Sequence, residues 1–395
     1  MPRRFRLCRP YTASMEINDE LRAWLTLLRA PGIGPAAARA LLMRTGSAQA
    51  ACSAARQLRG ECGLSADALD WIEAPDGARI EADLAWLALP NHCLLRFADP
   101  DFPPQLAEIP QPPAALFVVG NPGLLLHAQI AMVGARSASA QGTANAREFA
   151  RAFARTGLTV TSGLADGIDG AAHSGALDAN GATIAVIGTG ADLVYPRKHR
   201  ELAARIAQHG AIVSEYPLGT PALPAHFPQR NRLIAGLALG TLVVEASLQS
   251  GSLITARLAG EMGREVFALP GSIHSPLSRG CHRLIRDGAR LTEGAQEVIE
   301  ALAPGAQALG TQLRQRLEAG PDQASSDAPA TRDRDPDYAR LLSALDERAL
   351  GLDELAARTG LKPAELSSML LLLELEGAVA PAVNGRWQRL FVPSA

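Results

Sequence analysis

The stretch His226-Phe-Pro-Gln-Arg-Asn-Arg-Leu-Ile-Ala-Gly236, continuing through Thr241-Leu-Val-Val-Glu-Ala246 to Ser250-Gly-Ser-Leu-Ile-Thr-Ala256, decides the fold. An apolar run of strand type ends in Glu245, and a Ser-Gly-Ser turn then opens an apolar helix. A strand, a polar turn and a helix start in that order gather unpaired backbone N–H groups and the positive end of a helix dipole, which favours anions such as phosphate. Arg230 and Arg232 arrive from the preceding segment. Two readings stand side by side: a phosphate-binding surface, or arginines paired with acids and serines that merely cap the helix.

Outward from this stretch, apolar β-type segments alternate with helical ones: Leu116–Val119, Ile130–Val133, Leu158–Thr161, Thr183–Ile187, Ala211–Val213, Thr241–Glu245 and Glu265–Leu269. That spacing implies right-handed crossovers and a sheet covered on both faces, so residues 91–303 read as a Rossmann-like, doubly wound, mostly parallel α/β domain. The loops after the strands are Gly134-Ala-Arg-Ser-Ala-Ser139, Ser162-Gly-Leu-Ala-Asp-Gly-Ile-Asp169, Gly188-Thr-Gly-Ala-Asp-Leu-Val-Tyr-Pro-Arg-Lys-His199, Ser214-Glu-Tyr-Pro217, Ser250-Gly-Ser252 and Pro270-Gly-Ser272. Open α/β sheets bind ligands at strand carboxyl ends. Glycines, hydroxyls and Arg136, Lys198, Arg230 and Arg232 converging on one edge favour a polyanion site.

Other chemistries fit less well. Gly188-x-Gly190 has Leu193 at the third glycine position, so the dinucleotide fingerprint is broken. Asp169 and His173 have the spacing of an acid–base or metal pair, but a helix-capping acid with a hydrogen-bonded core histidine is commoner. No third ligand lies at zinc spacing and no nucleophile elbow occurs.

The flanks read differently. Residues 1–15 are expected to be disordered or a mis-called start, with Met15 a candidate initiator. Residues 16–90 read as small helices with a Pro31-Gly-Ile-Gly34 turn, like a helix-hairpin-helix or SAM-like domain. Such turn amides can hold a DNA phosphate, but with only Arg39 and Arg44 following, a plain αα-hairpin is favoured. Phe97–Pro113, dense in proline, reads as a connector over a core. Residues 304–336, rich in Ala, Pro, Asp, Ser and Gln, read as a flexible linker with a short helix near 313–317. Residues 337–395 read as a winged helix: helices at 338–345, 352–360 and 363–376, then two strands around Asn384-Gly385. The would-be recognition helix has three glutamates and no base-reading Arg, Asn or Gln, which favours protein contact over major-groove readout.

Composition sets limits. At 395 residues two or three domains are expected, and a net charge of −2 confines any nucleic-acid binding to local patches. Arginine outnumbers lysine 36 to 2, which suits bidentate phosphate contacts. No apolar run is long enough for a bilayer, so no membrane insertion is expected. Five scattered cysteines without a CxxC pair argue against a disulfide framework or zinc site and for a reducing cytoplasm.

Met132-Val-Gly-Ala-Arg136, Ser162-Gly-Leu-Ala-Asp-Gly-Ile-Asp-x-Ala-Ala-His173, Phe227-Pro-x-Arg-Asn-Arg-Leu-Ile-Ala-Gly-Leu237, and Val244-Glu-Ala246 with Ser250-Gly-Ser-Leu-Ile-Thr-Ala256 together resemble the bacterial DNA-processing protein A family, DprA or Smf. The resemblance spans residues 97–292, and the flanking modules fit the same architecture. It implies a cytoplasmic, non-enzymatic homodimer of natural transformation that needs no cofactor or metal, binds and protects incoming single-stranded DNA and loads a RecA-type recombinase. Carried over by motif, the DNA site comprises Gly134, Arg136, Ser137, Ser162, Gly163, Tyr195, Arg197, Lys198, Arg230, Asn231 and Arg232; the residues themselves add Phe227 as a ring for base stacking and Ser250, Gly251 and Ser252 at the helix start. The chain departs from the family at His199 and His282, both read as turn residues, where asparagine is common. The alternative is a Rossmann-like nucleotide hydrolase similar to the LOG phosphoribohydrolases. Their Pro-Gly-Gly-x-Gly-Thr run before a catalytic glutamate is absent here, where Glu245 precedes Ser250-Gly-Ser252.

Overall fold

The structure, a computed structural model, describes residues 15–319 and, further on, residues 340, 341, 343–345, 350–361, 366, 370, 379–382 and 386–389. The predicted disordered start therefore lies outside the described residues except for Met15. The chain divides into two compact units, Met1–Gln315 and Arg316–Ala395.

The first unit begins with helices α1 (Met15–Arg29), α2 (Pro35–Thr45), α3 (Ala48–Ala54), α4 (Arg59–Cys62), α5 (Ala66–Glu73) and α6 (Gly77–Leu87). Their boundaries follow local chemistry. Pro35 opens α2, where its missing N–H costs nothing, and Gly46 closes it in the left-handed region at φ +78°. Ser47, Ser65 and Asp76 cap α3, α5 and α6 by accepting backbone N–H bonds. Leu21, Trp24, Leu25, Leu41 and Leu69 form a core shared with Leu94, Ala115 and Phe117, so these helices pack on the edge of the central sheet. A buried pair joins them: Arg29 Nε donates to Asp83 Oδ2 at 2.5 Å, and Arg29 Nη2 donates to Asp83 Oδ1 at 2.6 Å and to the Leu218 carbonyl at 3.0 Å. The Pro31–Gly34 turn makes the tight bend between α1 and α2, with Gly32 in the left-handed region at φ +74°. Of the two cations behind it, Arg39 lies 4.4 Å over the Phe97 ring and donates to the Pro113 carbonyl, and Arg44 pairs with Glu61.

The central sheet has nine strands: β1 (His92–Arg96), β2 (Ala115–Gly120), β3 (Gln129–Val133), β4 (Thr159–Ser162), β5 (Thr183–Ile187), β6 (Ala211–Ser214), β7 (Gly240–Val243), β8 (Glu265–Ala268) and β9 (Arg290–Leu291). Their order is β1-β2-β6-β5-β4-β3-β7-β8-β9. Pairs from β6 to β9 are parallel, whereas β2 runs antiparallel to both β1 and β6. The Leu116–Val119 segment thus belongs to an antiparallel edge, and β1 and β9 are additional strands. Alternate residues serve opposite faces, as the strand period of two requires. Ala131 and Val133 pack on one side with Leu233, Ile234 and Ala256, and Ile130 and Met132 on the other with Phe149, Phe153, Phe267 and Val298.

The covering helices are α7 (Pro104–Ala107), α8 (Ala140–Arg155), α9 (Ile168–Asp178), α10 (Arg200–His209), α11 (His226–Leu237), α12 (Ser252–Glu261), α13 (Arg279–Arg286) and α14 (Ala295–Ala319). The proline-dense connector is pinned to the core by buried Phe102, Leu106 and Ile109. The flexible linker predicted from 304 is a correction: residues 304–319 continue α14 through Pro304. Ala, Gln, Leu and Arg dominate that stretch and are strong helix formers, and Val298 and Leu302 anchor the preceding turns in the core. The rest of the predicted linker lies outside the described residues. His282 is a second correction, since it lies within α13 rather than in a turn.

In the second unit, β10 (Leu350–Gly351), β11 (Val379–Ala382) and β12 (Arg386–Arg389) pair antiparallel in the order β10-β12-β11. The helix Leu352–Thr359 opens with the Gly351 N–H donating to Glu354 Oε2 at 3.0 Å. Leu341, Leu350, Leu355, Leu366, Leu370 and Val379 form the core. The predicted recognition helix lies outside the described residues apart from Leu366 and Leu370, both buried.

Candidate nucleic-acid interface

Strands leave β3 in opposite directions across the sheet, β4 to one side and β7 to the other. Between them the helices diverge and a crevice opens, the usual ligand position of a doubly wound sheet. Here the crevice is a cavity of ≈ 490 Å³. Gly134, Arg136 and Ser137 reach it from the loop after β3, Phe227, Arg230 and Asn231 from α11, and Ser250, Gly251 and Ser252 from the start of α12.

The floor is electrostatically incomplete. Arg230 is 4% exposed, and it makes no hydrogen bond among the described residues; its Nε is buried without a partner. Burial pushes its pKa down to about 10, opposed by the nearby Asp169 carboxylate, so the charge survives at neutral pH. The guanidinium packs on Gly163, where any Cβ would collide with Nη1. Asp169 is itself occupied, accepting from the N–H groups of Gly163 at 3.1 Å and Ala165 at 3.3 Å. Burial raises the Asp169 pKa even though Arg230 and these N–H groups oppose it, which marks the pair as poorly solvated on both sides. A buried donor without an acceptor costs about 1–3 kcal/mol, more when charged, so an anion entering the cavity relieves a standing penalty.

The other walls suit the same ligand. The N-cap of α12 is Gly251, which has no side chain to cap with; Ser250 Oγ accepts from the Ser252 N–H at 3.4 Å and shares a 2.7 Å contact with the Ser252 hydroxyl at the helix's positive end. At the lip, exposed Arg136 lies 5.5 Å over the Phe227 ring, and Tyr195, 49% exposed, packs against the same ring at 5.6 Å. Flat rings and cations at one opening form a surface on which bases can stack.

Six of the predicted residues stand elsewhere. Ser162 is buried and donates to the Met132 carbonyl at 2.6 Å, and Gly163 lies behind Arg230. Tyr195 touches the cavity only through Phe227, and exposed Arg197 does not line it. Lys198 faces a different recess and pairs with Asp166 at 3.0 Å. Arg232 takes the acid-paired alternative: Nη2 donates to both oxygens of Glu215 at 2.6 and 2.8 Å and Nε to the Gln111 carbonyl at 3.0 Å. Sequence reasoning missed Asp169, Ser247, Thr255 and Leu277 as lining residues. Only Asp169 left a trace, in its four-residue spacing from His173.

That histidine is a core residue. The Thr183 hydroxyl donates to the Val160 carbonyl at 2.6 Å, so its oxygen accepts from His173 Nδ1 at 2.7 Å and the ring is neutral. Burial pushes its pKa down to about 3. Glu245, the residue a hydrolase reading needs, accepts from the Ser139 N–H at 2.9 Å and hydroxyl at 2.5 Å, ahead of α8. Gly142 leaves room for that carboxylate, which a Cβ there would strike. His199 Nδ1 lies 3.0 Å from the Leu164 carbonyl, and His282 Nε2 3.0 Å from that of Gly271, so each fastens a neighbouring loop.

Residues 93–303 match the family profile described as DNA recombination-mediator protein A, a span of more than half the chain. The chain belongs to that family. Residues 18–76 match a DprA-like N-terminal HHH domain and 325–385 a DprA winged helix domain. Protein Smf of Escherichia coli K12 is 45% identical over 312 residues, 79% of this chain and 81% of its own. DNA processing protein DprA of Streptococcus pneumoniae is 47% identical over 201 residues, 51% of this chain and 71% of its own. A crystal structure of DprA from S. pneumoniae superposes with TM-score 0.63 at 35% identity, covering 71% of this chain and 97% of that one. A Helicobacter pylori DNA processing protein A, whose structure describes a single-stranded DNA binding mode, superposes with TM-score 0.50 at 29% identity, covering 54% and 96%. Among the described residues no helix is long and apolar enough to cross a membrane.

Proposed function

We propose that this chain binds single-stranded DNA in the cavity at the carboxyl ends of β3 and β7, shields it, and hands it to a RecA-type recombinase during natural transformation. In this reading it acts in the cytoplasm as a homodimer and catalyses no reaction. The observation that supports DNA binding is buried Arg230, whose Nε has no partner among the described residues, beneath an opening rimmed by Arg136, Phe227 and the start of α12. The single-stranded preference follows from shape, because a recess of this size takes a splayed nucleotide whereas a duplex keeps its bases stacked inside. Stacking on Phe227 or Tyr195 contributes about 1–3 kcal/mol per base and is sequence-tolerant. Recombinase loading, the homodimer and the cellular setting rest on kinship with the DNA-processing relatives. Glu245, held against Ser139, is poorly disposed to act as the nucleophile or base of a hydrolase.

The test is anisotropy of labelled poly-dT against duplex of equal length, followed by recombinase filament assembly on strands coated with single-strand-binding protein. Tight salt-sensitive single-strand binding and faster assembly are the expected results. Equal affinity for duplex, or hydrolysis of nucleoside monophosphates abolished by Glu245→Gln, overturns the reading.

A further inference from the structure

The cations that the sequence grouped together divide between two recesses. Besides the switch-point cavity, a second recess of ≈ 420 Å³ opens among α8, α9 and the start of α10, walled by Arg147, Ser174, Lys198, Glu201 and Arg205. Gly167 lines this recess, and a Cβ on it would strike the carbonyls of Ala135 and Arg136, so one turn of backbone separates the two hollows. Lys198 and Arg205 have internal partners in Asp166 and Asp178. Arg147 has no ion pair or hydrogen bond among the described residues, and it is exposed. Asp178 is shared by Arg151 and Arg205, which leaves this face with more cations than acids even with Glu201 in the wall. A surface path joins the hollows. It starts at Tyr195 on the Phe227 ring, passes exposed Arg197 and ends at Lys198 inside the second recess.

We propose that this recess is a second phosphate-binding site for the same DNA strand, with Arg147 as its principal cation and the Tyr195–Lys198 segment as the bridge from the first. The proposal rests on the single-strand reading of the cavity. Sequence-independent single-strand binders follow the backbone with a positively charged groove, and successive cations spaced along a strand fit that mode better than an isolated pocket. Single arginines contact phosphate bidentately.

The experiment uses the full chain with (dT)4 and (dT)20. Arg147→Ala is expected to weaken (dT)20 binding about three- to tenfold and to flatten its salt slope by roughly 0.7, the loss of one phosphate contact, with (dT)4 affinity unchanged. Arg147→Lys retains most of the affinity. Arg136→Ala weakens both lengths. Arg56→Ala, a charge removed from the N-terminal helices, changes neither. If Arg136→Ala weakens binding while Arg147→Ala does not, the second site is wrong and the cavity reading stands. If neither variant has an effect, both fall. An equal loss on both lengths with Arg147→Ala, or a matching loss with Arg56→Ala, overturns the proposal in favour of diffuse charge.

Discussion

Arg230 and Arg232 sit two residues apart on α11, both more than nine-tenths buried, and their surroundings differ completely. Arg232 is locked into Glu215 and two backbone carbonyls, whereas Arg230 faces a cavity with no hydrogen bond among the described residues. The N-terminal helices repeat the first pattern, with Arg22, Arg29, Arg44, Arg56 and Arg79 each paired to an acid. Arg230 has the Asp169 carboxylate nearby but no hydrogen bond among the described residues, and at the foot of a cavity this marks where an outside anion belongs.

The largest expected effect comes from breaking the compensated case. Arg232→Ala strands Glu215 at 12% side-chain exposure, and removing one partner of a buried pair typically costs about 3–5 kcal/mol. Denaturant unfolding measures it, and a loss below about 1 kcal/mol would place Arg232 with Arg230. His173 sharpens the contrast as a buried polar group kept neutral. Its folded pKa of about 3 lies below the ordinary 6.5, so the unfolded chain takes up a proton that the folded one refuses. Stability is complete above pH 6.5 and falls as pH drops toward about 3, by up to about 1.4 kcal/mol per unit. A pH series of unfolding should show this slope and His173→Gln should reduce it; an unchanged slope would mean a charged ring.

Gly163→Ala places a methyl on the Arg230 guanidinium and pushes it off its seat. The fold should lose about 1–3 kcal/mol from overpacking, while single-strand affinity falls as far as in Arg230→Ala. Retained affinity would mean that the position of Arg230 is immaterial. The smallest effect belongs to Glu245→Gln, which weakens the bonds to Ser139. A thermal melt should shift by about 1 kcal/mol or less, with DNA affinity unchanged; lost binding would move Glu245 into the site.

Much of this was legible in the sequence. Thr183–Ile187 is a strand from end to end because an apolar β-branched run between turn residues has no other stable use. The cavity was legible because Gly134–Ser137 and Ser250–Ser252 both follow strands, and topology brings such loops to one edge. What stayed hidden depends on distance along the chain. Glu215 and Arg232 are separated by a loop and a helix turn, and no local pattern announces their pairing. Arg147 lies on the exposed face of an amphipathic helix, where an arginine ordinarily means solvation, and only the meeting of three helices gives it a recess. The run from 304 misled because residues 304–336 were read together from their Ala-, Pro-, Asp-, Ser- and Gln-rich composition, while the helix formers up to 319 decide the conformation of its first part.

The most direct test of the account is the salt dependence of poly-dT binding by Arg230→Ala beside the unaltered protein, with a thermal melt of each. Arg230 predicts affinity reduced about tenfold or more, a salt slope shallower by roughly 0.7, and a melting temperature that falls less than in Arg232→Ala, because Arg230 makes no hydrogen bond among the described residues and Asp169 keeps its two backbone N–H donors. Unchanged affinity and slope, with a sharp loss of stability, would show that Arg230 is a scaffold arginine like Arg232 and that the DNA lies elsewhere.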